Sequence, residues 1–306
     1  KVLIDAGKIF SVASDNSTGS GGAITMNING LVSVLNDGEI SSSTFSSGAI
    51  GNIDITAGEL FLDSGGIYAE ANNDLAYATI LGSLSPGTEL KFIENGNLNI
   101  FIKDKITLSN TGKISASSMG PMPASNIDVN TQTLSLTGES LISTTAKEGN
   151  GGAITFNVGK LFYVQNSQII TSVEGAGASG NGGDINIAAP VMIMKTGFIQ
   201  ANTQARGASG GDINLTVEQL VSSSNTLISG NEQPLSFIAS LLAGYNVIQA
   251  AAPDGVNGTI HYDAPKLNIT NALVNIEEPK LNLAKVGEDP CSPSARQNTL
   301  KNTGVG

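Results

Sequence analysis

The phrase GNGGDINI at 180–187 returns as SGGDINL at 209–215. A chain that restates two glycines, an acid and alternating apolar residues at this interval stacks one structural unit on the next. Aligned on the first aliphatic residue of each such phrase, the anchors are Ile24, Ile53, Leu98, Ile127, Ile154, Ile185, Ile213 and Ile260. Their spacings are 29, 45, 29, 27, 31, 28 and 47 residues. The two long intervals predict insertions, near 72–95 and near 230–254.

Each unit has a constant order. A glycine phrase opens into alternation, as at Ile185 and Ile187. A second apolar pair follows, as at Val191 and Ile193, and then a third stretch, as in GFIQANT at 197–203. Alternation of this kind predicts three short, half-buried strands per repeat. Three such strands cannot enclose a core alone, but stacked copies can. The anchors would then form one inward aliphatic column. Thr25, Asp54, Asn99, Asp128, Thr155, Asn186, Asn214 and His261 would form the wet row beside it. Gly22, Gly152, Gly183 and Gly211 are expected to make the corners by adopting positive φ.

The expected fold is therefore all-β: a parallel β-helix (β-solenoid, pectin-lyase-like) of about 8–10 coils with two insertions. Parallel crossovers are right-handed in nearly all cases, so the same hand is expected here. The solenoid should occupy 1–276. Within 72–95 a strand or hairpin pair should leave the stack and turn at Ser85–Pro86–Gly87. Within 232–249, Ile238, Leu241, Leu242 and Tyr245 fall at helical spacing, which predicts a short helix against the last coils. Residues 277–306 read as a partly disordered tail, and KVLIDAGKIFSV reads as the middle of a repeat, so the chain is expected to be a fragment of a longer protein.

Composition narrows the function. The chain has 306 residues, a net charge of −11 and 13% charged residues, against roughly 25% in ordinary domains. An acidic surface opposes nucleic acid and anionic lipid. The apolar stretch at 235–252 is short for a membrane span and is interrupted by Ser236, Ser240, Gly244, Asn246 and Gln249. Cys291 is the single cysteine, so no internal disulfide forms; it reads as a free thiol, with a tether to another molecule as the alternative.

The repeats resemble those of filamentous-haemagglutinin-type exoproteins, the secreted partners of bacterial two-partner secretion systems. The most characteristic stretch is 168–215; 253–273, followed by EDPCSPSAR at 288–296, resembles the C-terminal end of such proteins. The resemblance implies a right-handed β-helix, an outer-membrane secretion pore as partner, and a secreted or cell-surface location on a Gram-negative-type bacterium. It also implies adhesion, with glycans or host or neighbour-cell surfaces as ligands.

Some parallel β-helices cleave polysaccharides, and that chemistry gathers acids on one face. Asp54 and Asp128 follow their anchors; Asp184 and Asp212 precede theirs on successive coils, with Arg206 in the loop between. Paired carboxylates are what sugar chemistry needs. A polysaccharide lyase or glycoside hydrolase is thus the alternative to an adhesive, non-enzymatic segment. The plainer role for these acids is to accept backbone N–H bonds at the corner. Asp184 and Asp212 are also the only weak metal candidates, for calcium, although the nine-residue period of calcium β-rolls is missing. His261 alone makes no transition-metal site. Neither a phosphate loop nor a Ser-His-Asp set is present, and no cofactor is expected.

Overall fold

Alternating Val, Ile, Leu, Thr and Asn favour extended backbone, and the repeat supplies each strand with an equivalent neighbour about 4.8 Å away. The computed structural model describes residues 1–268 except 15–16, 18, 46–47, 73–95, 121, 176–179, 223–225, 231–232 and 264–265. The insertion expected at 72–95, the tail at 277–306 and Cys291 lie, but for the first residue of that insertion, outside the described residues.

The strands, in chain order, are β1 (Val2–Asp5), β2 (Lys8–Ala13), β3 (Ile24–Leu35), β4 (Glu39–Thr44), β5 (Ile53–Asp63) and β6 (Gly66–Ala71). Next come β7 (Leu98–Ser109), β8 (Lys113–Ser115), β9 (Ile127–Leu136), β10 (Leu141–Ser143), β11 (Ile154–Ile170) and β12 (Ile185–Gln200). The last are β13 (Ile213–Ser222), β14 (Leu227–Ser229), helix α1 (Phe237–Ala243), β15 (Asn246–Gln249), β16 (Ile260–Tyr262) and β17 (Lys266–Asn268). All strand pairs are parallel, and they stack into a β-solenoid of about six turns. That is fewer than the eight to ten expected, because the outermost rungs are partial; β16 is three residues long.

The anchor column stands as one register line. Ile24 pairs with Ile53, Ile53 with Leu98, and Leu98 with Ile127. The line continues through Ile154, Ile185, Ile213 and Ile260. The six inner anchors are fully buried; Ile24 and Ile260, with a rung on one side only, are half-buried. A second column, Ile40, Ile67, Ile114, Ile142, Ile169, Ile199 and Ile248, faces the first from the third strand of each turn. At the junction of the first two faces Phe156 and Phe162 pack with ring centroids 5.0 Å apart.

Three features differ from the sequence expectation. First, the first and second strands of a repeat are one bent strand, with a register shift at the bend, as between Ile28 and Leu31 or Val158 and Leu161. Second, Gly22, Gly152, Gly183 and Gly211 do not adopt positive φ. A Cβ on Gly183 would fall within contact distance of the Gly152 backbone, and one on Gly211 would meet Gly183 in the same way. These glycines let successive rungs approach each other. The left-handed corner is elsewhere, after the second face, at Asn36, Asp37, Ser64, Asn110, Thr111, Gly138, Glu139, Asn166 and Thr196. Asn and Asp tolerate that region better than other side chains, which is why they recur there.

Third, the C-terminal turn steps back on itself. β14 pairs with β15, and β15 pairs with β12. The chain lays Leu227–Ser229 one rung out, leaves through α1, and returns to fill the slot between them. The Ser229 and Tyr262 hydroxyls, 2.5 Å apart, join β14 to β16 on that outer rung. Asn246 locks the returning strand: its Oδ1 accepts from the Gly197 N–H at 2.7 Å, and its Nδ2 donates to Ser222 Oγ at 2.7 Å. The expected helix is present, but its stripe is turned outward. Phe237 packs on Phe198, while Ile238 and Leu242 are 68% and 84% exposed.

Candidate functional site

Among the described residues a groove runs along each side of the first face. The groove ahead of the first face, about 550 Å³, follows the glycine corner and contains both Asp184 and Asp212. Residues just before the anchor face this corner, and their side-chain oxygens reach the next rung. Asn52 Oδ1 accepts from the Asn97 N–H at 2.9 Å, and Asn126 Oδ1 from the Ala153 N–H at 2.8 Å. Asp184 Oδ1 accepts from the Asp212 N–H at 2.8 Å. Asp212 Oδ1 accepts from the Thr259 N–H at 2.8 Å and its hydroxyl at 2.6 Å.

A parallel line three residues earlier repeats this arrangement. Asn150 Oδ1 takes the Asn181 N–H, and Asn181 Oδ1 takes the Ser209 N–H, both at 2.9 Å. Asp184 and Asp212 therefore sit on adjacent rungs, and each stitches its corner to the one above. The hydroxyl and backbone N–H of Thr259 hold the Asp212 carboxyl below the ordinary carboxylate range, with a smaller contribution from His261. Such a carboxylate is a poor proton donor at neutral pH. Arg206 is in neither groove lining and has no ion pair among the described residues. Among the described residues, no three His, Cys, Asp or Glu side chains converge as a metal would need.

On the wet row of the first face, Asn99 Nδ2 donates to Asp54 Oδ1 at 2.7 Å, and Asn214 Nδ2 to Asn186 Oδ1 at 2.9 Å. His261 is exposed beside Asn214. Hydroxyls on the third face reach the same corner from inside: Thr144 and Thr171, both buried, donate to the carbonyls of Gly152 and Gly183. The sequence signal for these is a Thr just after the third stretch, at Thr144 and Thr171.

The groove behind the first face was not anticipated. It lies at the bend between the first and second faces and has a volume of about 820 Å³. Five successive rungs each present one outward residue before the bend and one after it, and Thr56 extends the first row by a rung. The rows are Thr56, Phe101, Asn130, Asn157, Ala188 and Thr216, then Lys103, Gln132, Gly159, Pro190 and Glu218. Charge is confined to the ends, with Lys103 at one and Glu218 and Asp263 at the other. The side chains of Asn130, Gln132 and Asn157 make no hydrogen bond to any described residue. Gln132 lies over Gly159, where a Cβ would come within 2.7 Å of its Nε2. Phe101 stands 47% exposed at the Lys103 end. On three of its rungs the signal for this groove was an outward amide or aromatic three residues after the anchor, at Phe101, Asn130 and Asn157.

No protein-family model, curated protein or solved structure matches this chain. The fold and the two grooves are accordingly the ground on which its function is read. No described helix is long and apolar enough to cross a membrane.

Proposed function

We propose that this chain is a structural and adhesive segment of a secreted or cell-surface exoprotein of the filamentous-haemagglutinin type. In that role it is exported through an outer-membrane pore partner and contacts glycans or cell surfaces through many weak, repeated sites. The observation that carries the reading is the solenoid itself: aliphatic columns within, and outside them a row of polar residues, one on each rung from Thr25 to His261. A repeated row offers the same contact many times, so weak contacts add by raising effective concentration. The acids that an enzyme would use, Asp184 and Asp212, are engaged in corner hydrogen bonds.

The test is adhesion of the intact exported protein to cells and arrayed glycans. Saturable binding supports the reading, and absence of binding to either reduces the chain to a spacer. Cleavage of a polysaccharide, lost in Asp184→Ala and Asp212→Ala, would replace adhesion with the enzymatic alternative.

A further inference from the structure

We infer that the groove between the first and second faces binds a neutral, linear polysaccharide lying along the solenoid axis. The inference rests on the adhesive reading and gives it a place and a ligand class.

The shape argues for a linear ligand. The groove is lined by successive rungs from Thr56 to Asp263, seven in all, which spans roughly 29 Å at about 4.8 Å per rung. Equivalent positions recur at each step, so a polymer with a repeating unit meets a repeating site.

The chemistry argues for a neutral, hydroxyl-bearing one. Asn130 and Gln132 on one rung and Asn157 on the next have no hydrogen-bond partner among the described residues. An amide both donates and accepts, which matches a hydroxyl on both counts, and it brings no positive charge to offset a carboxylate or phosphate. The central stretch is uncharged, and the whole chain carries −11, which disfavours a polyanion. Phe101 supplies an exposed ring face at one end, and Ala188, Gly159 and Pro190 leave the middle open.

The direction argues against a peptide. An extended peptide gains most of its affinity by pairing with a free strand edge. This groove crosses the strands, and those strands are already paired on both sides. It offers side chains without an edge.

The experiment is titration of the full chain with β-1,4-linked glucose and N-acetylglucosamine oligomers, from dimer to hexamer, by calorimetry. Affinity should rise with oligomer length and change little with salt. Phe101→Ala and Asn157→Ala should each weaken binding about three- to tenfold. Ala188→Trp, which fills the open middle from an outward position, should abolish it. Asp184→Ala, in the other groove, should leave it unchanged. Circular dichroism and thermal midpoints check that each variant is folded.

Absence of binding to both series overturns the inference, as does undiminished binding in folded Ala188→Trp. Salt-sensitive binding of acidic glycans alone, or binding of extended peptides in their place, overturns it as well. Cell adhesion is measured on the same proteins. Adhesion that survives Ala188→Trp removes the groove and keeps the adhesive reading, whereas a wild-type chain that binds neither cells nor oligomers removes both.

Discussion

On one side of the first face, Asn52, Asn126, Asn150, Asn181, Asp184 and Asp212 commit their side-chain oxygens to the backbone of the next rung. On the other side, Asn130, Gln132 and Asn157 hold theirs out to water. Side-chain amides stand on both sides; the backbone beneath them differs. At the glycine corner, rungs without Cβ atoms approach closely, and a short side chain reaches the N–H above it. At the bend, Gly159 leaves space in which the Gln132 side chain lies across the groove. One groove is part of the scaffold, and the other is available to a ligand. Residue identity alone does not separate these roles.

The sharpest way to break this contrast is to crowd the corner. Gly183→Val places side-chain atoms against the Gly152 backbone, which cannot move without shifting the whole rung. A loss of about 3 kcal/mol or more is expected in urea unfolding, at or beyond the upper range for overpacking. If Gly183→Val unfolds at the wild-type midpoint, the close-approach role of these glycines is wrong.

Removing a column residue should cost nearly as much. Ile185→Ala deletes a fully buried side chain between two rungs, and about 2–5 kcal/mol is expected. The same substitution at half-buried Ile24 should cost less, so the pair of variants measures what a second neighbouring rung contributes.

The ladder itself should be worth less per residue. Asp212→Ala removes two hydrogen bonds to Thr259 but exposes no buried group, so about 1 kcal/mol is expected. The pH dependence distinguishes Asp212 from Glu70, a half-buried acid on the third face. The folded Asp212 carboxyl lies below its ordinary value. Its stabilisation is therefore present above the ordinary carboxylate range and lost as pH falls through the folded value. Glu70 is shifted upward, by burial first and by nearby Glu39 in smaller part. Its contribution has the opposite sign: full below the ordinary glutamate range, and lost as pH rises through the folded value. Asp212→Asn should flatten the acid limb of a stability–pH curve, and Glu70→Gln the rise-side loss. Identical curves for all three proteins would contradict both assignments.

The smallest stability effect belongs to the open groove. Asn157→Ala and Gln132→Ala should change stability by no more than about 0.5 kcal/mol, as exposed side chains without protein partners do. A larger loss would mean that these amides are structural, like those of the corner.

Much of the inside was legible beforehand. Period-two alternation placed Ile53, Leu98, Ile127, Ile154, Ile185 and Ile213 on one side of a strand, and the repeat length set them rung above rung. The acids at Asp184 and Asp212 could be read as acceptors of backbone N–H groups. Their target could not, because the donor belongs to a residue 28 or 47 positions away. The glycine doublets read as left-handed turns from the sequence alone, because glycine answers two needs, positive φ and close approach, and the letter does not say which. The left-handed corner was instead built at residues such as Asn110 and Asn166.

What the sequence determined by itself was the repeating unit: apolar side chains on alternate positions have one way to leave water, and copies of the unit supply each other's missing neighbours. What only the tertiary structure decided was everything that depends on one rung meeting another. That includes which glycines are pressed against a backbone, which amides are consumed by the next turn, and which strand fills the gap beside β12. The physical reason is reach: burial preference is a property of one side chain, whereas a hydrogen bond or a steric contact across rungs needs the coordinates of two.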